Sequence, residues 1–222
     1  MPSFTHVIFD LDGTLLNTLE DLAAAANHVC AAHGWPAFSV DEYRHKVGNG
    51  MRKLTERFLP AELARDPEAV DGALDELLAY YARHKEDHTA PYAGVPEMID
   101  ELRGAGLTLA VLTNKEHTAA APLVARYFGE SAFALVQGRV DAFPPKPAAP
   151  ITQHVLAQLG ADPERTLYVG DSDVDVQCGH NAGLLVAGAV WGFRGRAELE
   201  REGADYLAER PEDVARIVQA DA

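Results

Sequence analysis

A short apolar run near the start of the chain, Val7-Ile8-Phe9, ends in two aspartates that are one residue apart, Asp10 and Asp12. The run is typical of a buried strand, and Gly13 behind it indicates a sharp turn. In open parallel α/β sheets, ligands bind in the crevice outside the carboxyl ends of the strands. The pair therefore predicts a polar site at the end of the first strand, although Asp12 with Gly13 is also ordinary turn chemistry.

Two carboxylates this close together are expected to differ in their chemistry. A bound cation would keep one of them ionised, and neighbouring charges push the pKa values of paired acids apart. Such a division of labour suits an aspartate nucleophile beside an aspartate that acts as general acid and base.

Composition bounds the class of protein. The 222 residues are 47% hydrophobic, enough for one domain with a sizeable core, or for one with a second domain inserted into it. The formal net charge of −15 argues against nucleic acid or an anionic membrane as a partner, because both bind Lys/Arg patches. The chain has only 2 cysteines and no recognisable signal peptide or membrane span, so we expect a cytoplasmic protein.

The segment that follows the first strand has helical patterning. Thr18 is positioned to cap a helix that Gly34 ends, and Ser39 with Glu42 has the spacing of a capping box. A long amphipathic helix is predicted over residues 67–85. We find no strand pattern within this block.

The pattern changes at about residue 90, where strands and helices begin to alternate. This alternation is typical of a mostly parallel sheet with right-handed crossovers. We therefore predict an α/β fold, with a Rossmann-like parallel-sheet core of residues 1–16 and 90–222. An all-helical cap domain, residues 17–89, is inserted into this core.

Polar residues follow three of the predicted strands, and a lysine lies in a proline-flanked loop of the same core. They are Asp10 with Asp12, Thr113 with Asn114, Asp171 with Asp175, and Lys146. Parallel strands bring their carboxyl ends to one edge, so we expect these groups to converge there. Carboxylates at this density repel one another, and Mg²⁺ would relieve the repulsion. Together, the cations and hydrogen-bond donors supply what a transferring phosphoryl group requires.

Four segments carry a family resemblance. They are Asp10-Leu11-Asp12-Gly13-Thr14-Leu15, Thr113-Asn114-Lys115, Lys146-Pro147 and Gly170-Asp171-Ser172-Asp173-Val174-Asp175. In this order they resemble the four motifs of the haloacid dehalogenase superfamily, over essentially the whole chain. The helical insertion, with Val47-Gly48-Asn49-Gly50, is similar to the cap of the phosphoglycolate phosphatase group.

The resemblance implies a role for each matching residue. Asp10 matches the nucleophile that forms an aspartyl-phosphate, and Asp12 matches the acid that protonates the leaving alcohol and then activates water. Thr113 and Asn114 match the phosphoryl-binding pair, and Lys146 matches the cation beside the nucleophile. The implied Mg²⁺ ligands are Asp10, the backbone carbonyl of Asp12, and Asp171, with Asp175 as either a ligand or a supporting residue.

The cap offers fewer constraints on substrate binding. Asn49 precedes a helix restart at Met51, where backbone N–H groups suit an anion such as a substrate carboxylate. Arg52 would add positive charge, although a solvated helix face is the slightly better explanation for this residue. We take Asn49 and Arg52 as candidate substrate-binding residues.

The resemblance implies a Mg²⁺-dependent phosphomonoester hydrolase acting on a small phosphorylated metabolite, with 2-phosphoglycolate as the favoured substrate. A sugar-phosphate mutase or a pyrophosphatase on the same fold are alternatives, as is a non-catalytic protein that binds a phosphorylated ligand. The intact pair of Asp10 and Asp12 argues against the last of these. The expected oligomeric state is monomer or homodimer.

Overall fold

In the computed structural model the chain divides into two compact units, and residues 4–220 are described. The core unit comprises Met1–Leu16 and Pro91–Ala222, and the helical unit comprises Asn17–Ala90. Among residues 4–220, no helix combines the length and apolar character that a membrane crossing requires.

Strands account for eight elements of the described chain. They are β1 (His6–Phe9), β2 (Leu16–Asn17), β3 (Ala90–Pro91), β4 (Thr108–Glu116), β5 (Leu135–Arg139), β6 (Thr166–Gly170), β7 (Leu185–Ala189) and β8 (Tyr206–Ala208). Six of them form one parallel sheet in the order β5-β4-β1-β6-β7-β8, and β2 pairs with β3. The predicted α/β fold with a parallel-sheet core is confirmed.

The helices fall into two groups. The helical unit contains α1 (Leu19–His33), α2 (Val40–Tyr43), α3 (Met51–Phe58) and α4 (Pro67–His84). The core unit contains α5 (Val95–Gly104), α6 (His117–Phe128), α7 (Ala149–Leu159), α8 (Asp173–Asn181), α9 (Arg196–Glu202) and α10 (Pro211–Ala220).

Strand β1 is central because both of its faces are apolar. Val7 and Phe9 lie in one buried cluster, to which helices α5, α6 and α10 contribute, while Ile8 lies in a second cluster with residues of α7, α8 and α9. Successive side chains of a strand point to opposite faces, so a continuous apolar run is what a strand covered on both faces needs. The register places Phe9 beside Val111 of β4 and Val169 of β6.

Two local expectations need correction. The hydroxyl of Thr18 occupies the position before α1 but makes no capping hydrogen bond, and its buried oxygen has no hydrogen-bond partner. Strand β4 does not end before Thr113 and Asn114 but continues to Glu116, with an irregular register against β5 after Leu112. The capping box of Ser39 and Glu42 is present, although α2 is only 4 residues long.

Asp21 ties the beginning of the helical unit to its end. Its buried carboxylate accepts hydrogen bonds from the backbone N–H groups of His88 and Thr89 and from the Thr89 hydroxyl, at 2.7 to 3.2 Å. These hydrogen bonds connect the first turn of α1 to residues 88 and 89, whereas Thr18 makes no capping hydrogen bond. A charged acceptor for three donors is a strong local constraint.

Replacing Asp21 by Ala is therefore expected to lower the free energy of unfolding by about 3 kcal/mol, because it leaves buried donors without an acceptor. Urea denaturation followed by circular dichroism would measure the change. Asp75→Ala is the matched control, since Asp75 lies exposed on α4. Equal stability of the two variants would contradict the anchoring role.

Candidate active site

Neighbouring strands of the core unit deliver the polar residues to one edge of the sheet. Asp10 follows β1, and its backbone N–H donates to the carbonyl of Val169 on β6 at 2.9 Å. Asp171 follows β6 directly, and Asp175 lies in the first turn of α8. Asp10 is thus far from Asp171 and Asp175 in sequence, and the adjacent strands β1 and β6 bring it close to both.

Asp10, Asp171 and Asp175 form a buried carboxylate cluster. One oxygen of each lies within 4.8 Å of the others. Burial raises the pKa of Asp10 to about 7, against the favourable charge of Lys146 and with a further rise from Asp175. Burial, Asp175 and Asp10 together raise the pKa of Asp171 well above its ordinary value. The cluster is thus short of positive charge.

Lys146 is the buried cation beside this cluster. Its Nζ lies 2.9 Å from Oδ1 of Asp10 and 2.8 Å from Oδ1 of Asp175. It also donates to the carbonyl of Leu112 and to the hydroxyl of Tyr168, at 3.1 and 3.0 Å. Burial alone would lower the pKa of Lys146, but Asp10 and Asp175 raise it above its ordinary value. The ammonium therefore stays charged.

Asn114 holds the loop that carries Lys146. Its amide oxygen accepts from the backbone N–H of Lys146 at 2.9 Å, and its amide nitrogen donates to the carbonyl of the same residue at 3.2 Å. The neighbouring Thr113 hydroxyl accepts from the backbone N–H of Lys115 at 3.2 Å. Both side chains are buried. Asn114 therefore positions Lys146, and the substrate-binding role of Thr113 and Asn114 stays a prediction.

Asp12 has a different partner from Asp10. Both of its carboxylate oxygens lie 3.0 Å from Nζ of Lys115, whose side chain is only 5% exposed. Asp12 and Lys115 are 103 residues apart in sequence and meet because β1 and β4 are adjacent. Asp10 thus pairs with Lys146, and Asp12 pairs with Lys115.

Asp171 and Asp175 are held in place by hydrogen bonds of their own. Asp171 accepts from the hydroxyl of Thr14 at 3.2 Å and from the backbone N–H of Phe193 at 2.8 Å. Asp175 accepts from the backbone and hydroxyl of Ser172, at 3.2 and 2.7 Å. These contacts fix the direction of both carboxylates.

Two glycines make room for Asp171. A Cβ atom on Gly13 would lie 2.5 Å from Oδ2 of Asp171, and one on Gly192 would lie 2.2 Å from its Cβ. Gly13 also has a φ of 93°, which side-chain-bearing residues rarely adopt. Position 13 in the turn after β1 therefore requires glycine for two reasons: a Cβ atom would clash with Asp171, and the backbone has a positive φ.

A sequence model described as haloacid dehalogenase-like hydrolase matches residues 7–189, which span all four site segments. The chain belongs to the haloacid dehalogenase-like hydrolases. Its relatives include phosphatases, and this chain is a phosphatase as well.

Named relatives cover most of the chain. It is 35% identical over 204 residues to a phosphoglycolate phosphatase of Agrobacterium fabrum, covering 88% of this chain and 84% of that one. It is 31% identical to an N-acetylmuramic acid 6-phosphate phosphatase of Pseudomonas aeruginosa, covering 96% and 93%. A crystal structure from Haemophilus somnus, described as a predicted phosphoglycolate phosphatase, superposes with a TM-score of 0.89 at 26% identity, covering 98% and 99%.

The two candidate residues of the helical unit have partners within that unit. The side-chain oxygen of Asn49 accepts from Arg57 at 2.8 Å. Arg52 is exposed and pairs with Asp71 of α4. Their role in substrate binding in this haloacid dehalogenase-like hydrolase stays a prediction.

Sequence reasoning missed three residues of the site. Tyr168 lies in the middle of β6, where its apolar neighbours conceal a hydroxyl that contacts Lys146. The hydroxyl of Thr14 donates to Asp171, a contact that no pattern in the sequence indicates. The ammonium of Lys115 lies 3.0 Å from both carboxylate oxygens of Asp12. A polar residue inside an apolar strand, such as Tyr168, is the one signal that would have pointed to a buried partner.

The carboxylate cluster fits a hard divalent cation. The ligand set is all oxygen, as Mg²⁺ prefers, and it comes from carboxylates that are already oriented by other residues. Oδ1 of Asp10 is buried and accepts no hydrogen bond, since Lys146 approaches it outside hydrogen-bond geometry. The Lys146 ammonium contacts only two of the three clustered carboxylates, Asp10 and Asp175, and a bound cation would offset the remaining repulsion.

Proposed function

We propose that this phosphatase is a Mg²⁺-dependent phosphomonoester hydrolase that works through an aspartyl-phosphate on Asp10. One observation carries the proposal. The Asp10 carboxylate, at the end of the central strand, lies 2.9 Å from Lys146 and within 4.8 Å of carboxylate oxygens of Asp171 and Asp175. A nucleophile, a fixed cation and a metal-ligand set thus meet in one place.

In the first step, an oxygen of Asp10 attacks phosphorus, and the bond between phosphorus and the ester oxygen breaks. Asp12 gives its proton to that oxygen, so the alcohol leaves neutral. Lys146 neutralises charge on the nucleophile and on the phosphoryl oxygens, and its three anchoring contacts keep it in place during the transfer.

In the second step, Asp12 takes a proton from water, and the water oxygen attacks the phosphorus of the aspartyl-phosphate. Inorganic phosphate leaves and Asp10 is regenerated as a carboxylate. Asp10, Asp171, Asp175 and the backbone of Asp12 would hold the metal ion. When bound, Mg²⁺ supplies positive charge that draws phosphoryl oxygens and the Asp10 carboxylate together.

The favoured substrate is 2-phosphoglycolate, supported by the phosphoglycolate phosphatase of Agrobacterium fabrum at 35% identity. The Pseudomonas aeruginosa relative makes N-acetylmuramic acid 6-phosphate the second candidate. Each of these substrates carries a carboxylate as well as a phosphate ester. A sugar-phosphate mutase, which would return the phosphoryl group to a sugar, and a pyrophosphatase are alternatives on the same fold.

Release of inorganic phosphate from a substrate panel tests the proposal. The panel holds 2-phosphoglycolate, N-acetylmuramic acid 6-phosphate, sugar phosphates, nucleotides, pyrophosphate and p-nitrophenyl phosphate, each with Mg²⁺ and with EDTA. We expect the highest kcat/KM with 2-phosphoglycolate and loss of activity in EDTA. Turnover of the other esters alone would support the proposed phosphomonoester hydrolysis and would reject 2-phosphoglycolate as the substrate. Tight binding without phosphate release would favour a binding protein.

Mg²⁺ is expected to raise the melting temperature, and to raise it more at about pH 8 than at about pH 5. The pKa of Asp10, raised to about 7, means that this carboxyl holds a proton at the lower pH, and the raised pKa of Asp171 acts in the same direction, so Mg²⁺ must compete with protons to bind. Differential scanning fluorimetry at both pH values, with and without Mg²⁺, measures the shift. Asp171→Asn should remove most of it. Equal shifts at both pH values would contradict the assignment of these ligands.

The helical unit acts as the cap in this proposal, with Asn49 and Arg52 as substrate-binding residues. Arg52→Ala is expected to raise KM for 2-phosphoglycolate several-fold and to leave kcat near the wild-type value. Steady-state kinetics tests this, with Arg83→Ala as the control, since Arg83 is exposed on α4. An unchanged KM would leave Arg52 as the surface partner of Asp71.

Two buried free cysteines support the proposed cytoplasmic location.

A further inference from the structure

Lys115, which pairs with Asp12, is the residue of the site to which the proposed reaction gives no role. The ammonium lies 3.0 Å from each oxygen of the Asp12 carboxylate, so it faces the carboxylate symmetrically. The Lys115 side chain is 5% exposed, whereas that of Asp12 is 18% exposed. Holding a lysine charge away from water is costly, so its presence calls for a function.

The two lysines of the site divide the aspartates between them. Lys146 contacts Asp10 and Asp175, on the side where the phosphoryl group is attacked. Lys115 contacts Asp12, on the side where the leaving oxygen must receive its proton. Lys115 is therefore the cation on the leaving-group side of the core unit.

The chemistry of the favoured substrate places a second anion on that same side. In 2-phosphoglycolate, a single methylene carbon separates the ester oxygen from the carboxylate. Asp12 must touch the ester oxygen to protonate it, and Nζ of Lys115 lies 3.0 Å from Asp12. A cation that close to the acid is within reach of a carboxylate that is attached so close to the leaving oxygen.

We propose that Lys115 determines substrate specificity by binding the carboxylate of a phosphorylated 2-hydroxy acid, taking it in exchange for Asp12. The inference rests on the proposed function, and it adds the residue that recognises the leaving group of the substrate. The exchange replaces one carboxylate by another on the same ammonium, so no buried charge is left without a partner. It also frees Asp12 to turn to the leaving oxygen. In a chain of net charge −15, an anionic leaving group needs such a local cation.

The test compares two substrates that differ only in the group Lys115 would bind. They are 2-phosphoglycolate and 2-hydroxyethyl phosphate, in which a hydroxymethyl group replaces the carboxylate. The measured quantity is the ratio of their kcat/KM values, since any effect of a substitution on folding or on Asp12 cancels in it. In the wild type we expect a ratio of about 100 or more, the size of one charge-assisted hydrogen bond.

Lys115→Met is expected to lower this ratio about 100-fold, and Lys115→Arg to retain most of it, because the charge is kept. Lys53→Met is the matched control, since Lys53 is exposed on α3 and pairs with Glu56. Should Lys115→Met fail to fold, Lys115→Gln keeps a hydrogen-bond donor without the charge. The non-hydrolysable pair 3-phosphonopropionate and 3-hydroxypropylphosphonate, matched to the two substrates, then gives the corresponding ratio from inhibition constants.

The outcomes separate the two proposals. Equal loss of activity on both substrates in Lys115→Met would overturn the specificity role and leave Lys115 as a positioning residue for Asp12. A wild-type ratio near one would overturn it as well, with the phosphatase intact. Absence of phosphate release from every ester by the wild type would instead reject the proposed function.

Discussion

Replacing Asp10 by Asn is expected to lower kcat on the best substrate by at least about four orders of magnitude, the loss typical of removing a nucleophile. An amide is a poor nucleophile, and it offers the metal a neutral oxygen where a carboxylate stood. Phosphate release over long incubations, with p-nitrophenyl phosphate as a second substrate, gives the sensitivity needed. Asp173→Asn is the control. Asp173 lies in the first turn of α8, near Asp175, but outside the carboxylate cluster.

The same variant is expected to fold at least as well as the wild type without Mg²⁺ at about pH 8. The pKa of Asp10 is raised to about 7 in the folded protein, against an ordinary value of 3.8. A group whose pKa is raised by folding binds its proton more tightly in the folded state, so its ionisation destabilises that state as the pH rises through this window. Asn lacks this penalty. Activity above a tenth of the wild-type value would overturn the nucleophile assignment.

Much of the fold could be predicted from the sequence because strands such as β1, β4 and β7 contain unbroken apolar runs. Val7-Ile8-Phe9 buries alternate residues in two different clusters, which only a strand covered on both faces can do. The parallel sheet then follows from the alternation of strands and helices, and the gathering of Asp10 and Asp171 follows from the sheet. Local rules thus suffice where the position of a residue along its strand decides its neighbours.

The contacts between side chains were not predictable in the same way. Asn114 holds Lys146 from 32 residues away, and Lys115 meets Asp12 from 103 residues away. Such pairings depend on strand order and on the irregular end of β4, neither of which periodicity encodes. The contact of Asp21 with the distant Thr89 was likewise not predictable, and Thr18 makes no capping hydrogen bond. Tertiary partners override local preference at these points.

Replacing Lys146 by Met is expected to abolish activity and to lower the free energy of unfolding by about 3–5 kcal/mol, the cost of breaking a buried ion pair. Its ammonium lies between Asp10 and Asp175, and the side chains of Lys146 and Asp175 are each 1% exposed. Without the ammonium, these two carboxylates lose the charge that offsets their burial. The carbonyl of Leu112 and the hydroxyl of Tyr168 lose a donor as well.

The pH dependence of this loss identifies its cause. Lys146 lowers the pKa of Asp10 in the wild type, so removing it leaves that carboxyl even harder to ionise. The destabilisation should therefore be larger at about pH 8, where the Asp10 carboxylate is charged, than at about pH 5, where a proton on Asp10 offsets part of the missing ammonium. Urea denaturation at both pH values measures this difference, with Lys53→Met as the exposed control. A loss of equal size at both would point to packing of the lysine stem, and not to its charge, as the contribution of Lys146 to the fold.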